Sequence, residues 1–142
     1  MTRPESAPFS WPVRVYFHDT DAGGVVFHGN YLHFMEAART EYFQSLGYNV
    51  AELQRAGEVL FVVHKLELNY RAPARLHDQL RVTAEVERMG GARLIFDQRV
   101  WRAEELLVSA KVQLATVDPR TLRPVPVPDR IRARVPLAGQ AV

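Results

Sequence analysis

Two periodicities divide this chain. Over residues 30–46 apolar side chains recur every three or four positions, which is the spacing of a helix that buries one face. Asn30 is suited to cap the start of this helix, and Gly47 is suited to end it. The pattern therefore predicts one long helix, with a second, short helical turn over 51–56.

After residue 57 the period changes from helical to two. Apolar and polar side chains then alternate, which predicts four half-buried strands over 60–70, 80–87, 94–100 and 108–114. The later connections, including the turn at Gly90 and Gly91, are too short to hold crossover helices. The strands should therefore form an antiparallel sheet.

The two ends of the chain are expected to lie outside this unit. Residues 1–12 carry three prolines, which indicates a flexible arm, and a short strand is predicted over 13–17. Five further prolines indicate a tail over 119–142. Residues 13–118 then form one α+β domain, in which a curved sheet covers the helix. A second copy could pair with the remaining sheet edges.

Composition narrows the class of protein. The 142 residues suffice for one core, and without cysteine there are no disulfides, thiolate metal sites or cysteine nucleophiles. The net charge is +2, with arginines scattered among acidic residues, which argues against nucleic-acid binding. Residues 1–12 lack the features of a secretory signal, and no apolar run could cross a bilayer. We expect a cytoplasmic protein without a transmembrane segment.

The candidate chemistry lies in the loop that leads into the long helix. This loop holds two carboxylates, Asp19 and Asp21, and then His28 and Gly29 just before the helix. A carboxylate near the unpaired N–H groups of a helix start can serve a reaction in which negative charge develops on an oxygen. Asp21 is the candidate catalytic group, with an Asx turn as the alternative. Asp19 is expected to order the loop by accepting backbone N–H groups.

The backbone N–H groups of His28 and Gly29 are the candidate oxyanion donors. The His28 ring could position a water molecule or simply fill a pocket. His64 falls on the apolar face of its strand and is expected to be a core residue. The histidines lack metal-ligand spacing, and no phosphate loop or dinucleotide fingerprint is present. We expect neither a metal nor a cofactor.

The chain resembles the 4-hydroxybenzoyl-CoA thioesterase-like family, which has the hot-dog fold. The resemblance runs in order from about residue 13 to residue 119. It is most similar to the subgroup of bacterial acyl-CoA thioesterases associated with the Tol–Pal cell-envelope system. The matching positions are Arg14-Val15, Thr20-Asp21, Gly24-Val25-Val26, Tyr31, the helix segment 36–41 and the sheet segments 61–65 and 70–76.

This resemblance implies a hot-dog thioesterase whose protomers pair by their sheet edges, as dimers or tetramers, with active sites at the dimer interface. The carboxylate that matches Asp21 is the catalytic one, as general base or nucleophile. The backbone N–H that matches His28, next to Gly29, polarises the thioester carbonyl. Asp19, together with the matching Tyr31, is expected to support the site. The expected reaction is hydrolysis of an acyl-CoA to a free acid and CoA, without metal or cofactor.

Two alternatives remain open at this point. The thioester could be carried by an acyl carrier protein rather than by CoA. The chain could also be a non-catalytic hot-dog protein that binds a partner associated with the cell envelope. The intact loop around Asp21 favours an enzyme over a binding protein.

Overall fold

A computed structural model describes residues 7–138, which fold as a five-stranded antiparallel sheet with one long helix on it. The strand order is β1-β3-β4-β5-β2. The hot-dog α+β fold is thereby confirmed. The strands are β1 (Phe9–Arg14), β2 (Leu60–Tyr70), β3 (Gln79–Met89), β4 (Arg93–Arg102) and β5 (Glu105–Val117), and the helices are α1 (Tyr31–Ser45), α2 (Val50–Arg55) and α3 (Asp129–Arg134).

Helix α1 lies against the sheet with a face of large apolar side chains. Each such side chain contributes roughly 1.5–3 kcal/mol when it leaves water. Opposite it, Val82, Val86 and Phe96 on the central strands are completely buried. One buried residue of α1, Arg39, is charged. The buried residues of α1 are Tyr31, Phe34, Met35, Ala38, Arg39, Tyr42 and Phe43.

The C-terminus of α1 forms as the sequence predicts. Gly47 has a φ of 92°, a left-handed conformation that favours glycine. Its N–H donates to the carbonyl of Gln44 at 2.9 Å, and the N–H of Tyr48 donates to the carbonyl of Phe43 at 3.0 Å. These two bonds satisfy carbonyls that the helix leaves open.

The prediction that Asn30 caps α1 was wrong. Its backbone is already helical, with φ −74° and ψ −19°, and its side chain makes no capping bond. A 3₁₀ turn over His28–Asn30 leads into the helix instead. The Asn30 side chain is used elsewhere, because its Nδ2 donates to Oδ1 of Asp19 at 2.7 Å.

The N-terminal boundary also differs from the prediction. Strand β1 begins at Phe9, so the last four residues of the predicted arm pair with β3. Pro12 is tolerated there because β1 is an edge strand. The strand ends at Arg14 rather than at Phe17, which lies in a 3₁₀ turn over Phe17–Asp19. Residues 1–6 of the arm lie outside the described range.

Part of the predicted C-terminal tail forms regular structure. Helix α3 begins directly after Pro128, and its Ile131 is completely buried in the core. Farther along, the N–H of Ala138 donates to the carbonyl of Val86 at 2.8 Å. The prolines therefore shape a segment that covers the core, and residues 139–142 lie outside the described range.

Strand β2 spans the predicted residues, but its pairing with β5 shifts between Val63 and Lys65. His64 is the extra residue of this bulge, and it is exposed. The expectation that His64 lies in the core was wrong, because one inserted residue exchanges the two faces of a strand.

Within residues 7–138, no helix is long and apolar enough to span a membrane.

Candidate active site

The loop before α1 is a narrow hairpin held against the connection between β2 and β3. The N–H of Asp21 donates to the carbonyl of Val25 at 2.9 Å, and that of Val26 donates to the carbonyl of Ala74 at 2.9 Å. Gly24, with a φ of 80°, makes the reversal, which few other residues could adopt. The position of Asp21 is thus fixed by backbone bonds.

Asp21 lies exposed on this hairpin. Its Oδ1 accepts the N–H of Gly23 at 2.8 Å, so the Asx turn considered from the sequence is present. Its Oδ2 has no hydrogen-bond partner among residues 7–138. The turn therefore orients the carboxylate and leaves one oxygen able to accept a proton.

Asp19 is a buried carboxylate that ties the hairpin to the start of α1. Its Oδ2 accepts the N–H of Tyr16 at 2.8 Å, and its Oδ1 accepts Nδ2 of Asn30 at 2.7 Å. Nε2 of His18 lies 3.3 Å from the same Oδ1. These contacts connect the segment before the hairpin with the helix start.

His28 and Gly29 open the 3₁₀ turn that precedes α1. Within the described part of the chain, neither backbone N–H has an acceptor. The hydroxyl of Tyr70 donates to the carbonyl of His28 at 2.8 Å and so fixes the peptide that follows His28. The exposed His28 ring lies 4.3 Å from that of Phe27, centroid to centroid. A Cβ on Gly29 would come within 3.1 Å of the Phe27 ring, so glycine suits this turn.

Tyr31 is buried at the first turn of α1. Its hydroxyl accepts the N–H of Ala74 at 3.0 Å, and burial raises the pKa of the phenol. Tyr31 therefore joins the helix to the same connection that holds the hairpin. Its ring lies 5.7 Å from that of Tyr70.

An open cavity of about 290 Å³ lies beside this helix start, and we call it the helix-start cavity. His28 and Tyr31 contribute to it, whereas Asp19, Asp21 and Gly29 do not. Its lining residues are Val26, His28, Tyr31, Tyr70, Arg71, Ala72 and Pro73.

A larger cavity of about 550 Å³, the distal cavity, lies between α1, α2 and β2. Helix α1 and strand β2 flank both cavities and run in opposite directions. Tyr31 meets Tyr70 at one end of this pair, and at the other end the rings of Phe43 and Phe61 stack 4.7 Å apart. The two cavities therefore lie at opposite ends of the α1–β2 pair, and they share no lining residue. The distal cavity is lined mostly by apolar residues, among them Phe43, Val50, Leu60, Phe61, Val62 and Leu114.

Arg39 is the buried cation of the distal cavity. Its Nη1 donates to Oε1 of Gln98 at 2.8 Å. Gln98 in turn donates from Nε2 to the carbonyls of Met35 and Thr83, at 3.1 and 3.2 Å. Burial lowers the pKa of the guanidinium. A fully buried amide thus links the helix, the sheet and a cation in the interior.

Sequence reasoning missed Tyr70 and Arg39 as residues of the site. The partner of Tyr70 is 42 residues away and that of Arg39 is 59 residues away, so no local motif marks either pair. Over the described range, no three His, Asp or Glu side chains are grouped as metal ligands would be.

Comparisons with known proteins agree with this fold and identify the family. The family model described as the thioesterase superfamily matches residues 23–109. Acyl-CoA thioesterase YbgC of Haemophilus influenzae is 45% identical over 125 residues, which cover 88% of this chain and 92% of that protein. Acyl-CoA thioester hydrolase YbgC of Escherichia coli O157:H7 is 45% identical over 126 residues, 88% of this chain and 93% of that protein.

A solved structure shows the same architecture. The crystal structure of a probable thioesterase from Bartonella henselae superposes with a TM-score of 0.81 at 34% identity, over 86% of this chain and all (100%) of that one. The long helix on an antiparallel sheet, together with these relatives, places the protein among the hot-dog thioester hydrolases. The chain belongs to the thioesterase superfamily.

Proposed function

We propose that this protein hydrolyses acyl-CoA thioesters, with Asp21 as general base or nucleophile and the N–H groups of His28 and Gly29 as the oxyanion hole. The observation that carries this proposal is the helix start. It presents two backbone donors without acceptors in the described chain, beside an open cavity. The preceding hairpin supplies a carboxylate of which one oxygen has no hydrogen-bond partner among residues 7–138.

The reaction suits these groups. When water or a carboxylate attacks a thioester, the carbonyl oxygen gains negative charge, which aligned N–H donors stabilise. Asp21 either takes a proton from the attacking water or attacks the carbonyl itself, and water then hydrolyses the resulting mixed anhydride. The departing thiolate is a weak base that needs little help from a general acid. The products are a carboxylic acid and CoA.

We propose that the acyl group lies along α1 and β2, between the two cavities. This path starts at the helix-start cavity, where the thioester carbonyl would meet the N–H groups of His28 and Gly29. The acyl group would then follow α1 toward the distal cavity, between the helix and β2. The lining of the distal cavity is mostly apolar, which supports an apolar occupant.

We also propose that the active form is a dimer or tetramer, located in the cytoplasm where acyl-CoA esters are made and used. The support comes from β2, an edge strand of 11 residues whose outer side has no neighbour within residues 7–138. Val63, Leu66 and Tyr70 on this strand are 47%, 38% and 52% exposed. Long, apolar edges of this kind are usually covered in the native protein.

Light scattering on the purified protein at micromolar concentration should give the mass of a dimer or a tetramer. Val63→Lys places a charge on the β2 edge and should shift the protein toward smaller species, because edge lysines oppose strand pairing. A matched exposed substitution, Leu122→Lys, lies in the turn after β5 rather than on the β2 edge and should leave the mass unchanged. A fully active wild-type monomer would contradict the proposed assembly.

The proposed activity is tested by thiol release from a panel of acyl-CoA esters that vary in chain length and in aromatic character. We expect turnover of at least one ester, and a lower kcat/KM for the same acyl group on a carrier protein. A higher kcat/KM on the carrier would assign the substrate to carrier-protein esters. A folded oligomer that hydrolyses no thioester would favour a binding role.

A further inference from the structure

Arg39 is buried in a setting that does not balance its charge. It is 9% exposed, and its one side-chain acceptor among residues 7–138 is the neutral amide of Gln98. No carboxylate in that range lies within ion-pair distance of it. Glu36, one turn earlier on α1, is exposed at the cavity and interacts with Arg39 only through its electrostatic field.

A cation in this setting has a cost. A guanidinium carries five N–H donors, and one of them is used here. A buried charge is ordinarily paired, because leaving it without a counter-ion costs several kcal/mol. Because Arg39 also lines the distal cavity, its remaining donors lie beside space that a ligand could fill.

The helix geometry places Arg39 at a definite distance from the reacting centre. Glu36, Arg39 and Phe43 are three and four residues apart, so they share one face of α1. Arg39 lies eight residues after Tyr31, the first residue of α1, which corresponds to about 12 Å of helix rise, and Gly29 lies in the 3₁₀ turn before it. An extended acyl chain of about twelve carbons, with its thioester at Gly29, would bring its far end to Arg39.

We propose that Arg39 selects acyl groups whose far end carries a carboxylate, so that the preferred substrates are CoA monothioesters of medium-length dicarboxylic acids. This inference rests on the proposed thioesterase function. The planar guanidinium can hold a carboxylate through two parallel hydrogen bonds. Phe43 and Phe61 would contact the methylene groups between the thioester and that carboxylate.

The same geometry disfavours a plain fatty acyl group. A methyl end in the distal cavity would displace water from Arg39 without giving it an acceptor. A carboxylate end would supply both the acceptor and the missing counter-charge. The selectivity should therefore appear in kcat/KM, with the carboxylate bound in both the ground state and the transition state.

The test compares two esters of equal length, dodecanedioyl-CoA and dodecanoyl-CoA, on the wild-type protein. We expect kcat/KM to favour dodecanedioyl-CoA by about tenfold or more, the worth of a charge-assisted hydrogen bond. Arg39→Met, which keeps an unbranched apolar stem but removes the guanidinium, should abolish or invert this ratio. Arg55→Met is the matched control, because Arg55 is an exposed arginine on the neighbouring helix, and it should keep the wild-type ratio.

Three results would overturn the inference. The first is a wild-type enzyme that turns over dodecanoyl-CoA equally well, and the second is a folded Arg39→Met variant that keeps the preference. The third, if Arg39→Met does not fold, is an Arg39→Lys variant with the full wild-type ratio. Lysine keeps the charge but lacks the fork, so its ratio should fall severalfold. If neither ester is hydrolysed, the proposed function fails and this inference fails with it, whereas hydrolysis without preference contradicts this inference alone.

Discussion

Asp21→Asn is expected to lower kcat for acyl-CoA hydrolysis by about 10² to 10⁴-fold, the usual contribution of a positioned general base. Asparagine keeps the shape of the side chain, and its amide oxygen can still accept the N–H of Gly23. It can neither take a proton from water nor attack the thioester as a carboxylate. KM should change much less, because the proposed oxyanion donors are the backbone N–H groups of His28 and Gly29.

Two further variants separate chemistry from loop structure. His28→Phe keeps the backbone N–H and an aromatic ring, so its effect on kcat should be milder than that of Asp21→Asn. Asp19→Asn should act mainly through stability, because one of its two carboxylate oxygens becomes an NH₂ facing either the Tyr16 N–H or the Asn30 amide. Circular dichroism and oligomer mass should be checked for each variant. A fully active Asp21→Asn enzyme beside a folded, inactive Asp19→Asn enzyme would identify Asp19 as the catalytic carboxylate.

The elements that the sequence predicted well are those in which local signals and packing agree. Helix α1 has an apolar face, a left-handed glycine at its end and a sheet that covers it, and it was predicted to within one residue at each end. Strand β2 was predicted with its observed ends. Local propensity and tertiary contacts favour the same secondary structure in both α1 and β2, so both elements can be predicted from the sequence.

The errors arose where tertiary contacts decide. The proline content suggested that both ends of the chain lack regular structure. Phe9 instead pairs with β3, and Ile131 is buried in the core. The face of His64 depended on a bulge of one residue, which leaves no mark in an alternating pattern. Asn30 had the residue type of a cap, but the buried Asp19 offered its side chain an acceptor 11 residues away.

The residues of the candidate site also fall into two groups, those that local sequence marks and those that long-range contacts bring together. The Asp21 hairpin and the helix start are local in sequence, so glycines, carboxylates and the onset of helical periodicity mark them. The proposed acyl path is not local in sequence, because it forms only when β2 lies beside α1. Tyr70 lies at one end of this path and Arg39 at the other. Their partners, the His28 carbonyl and Gln98, come from distant segments. Residue types and local spacing therefore predicted the candidate carboxylate and the candidate backbone donors. The residues that surround them are determined by long-range packing.

Gln98→Leu is expected to lower the free energy of unfolding by about 3 kcal/mol, because it leaves the buried guanidinium of Arg39 without its acceptor. The Gln98 bonds to the carbonyls of Met35 and Thr83 are lost at the same time. Leucine has nearly the volume of glutamine, so little of the loss should come from a cavity. Urea unfolding followed by circular dichroism measures the change, provided that the slope of the transition stays constant.

Arg39→Met, alone and combined with Gln98→Leu, completes a double-mutant cycle. The single Arg39→Met variant should cost less than Gln98→Leu, since it removes a buried charge and leaves the Gln98 amide with its two carbonyl partners. The double variant should be more stable than the sum of the single losses predicts, by at least about 1 kcal/mol, because the orphaned cation is then absent. Strict additivity would contradict the coupling, and it would mean that solvent in the distal cavity hydrates Arg39 once Gln98 is replaced. In that case the guanidinium of Arg39 is hydrated rather than desolvated. The effect of Arg39 on stability and its effect on acyl selectivity would then need separate explanations.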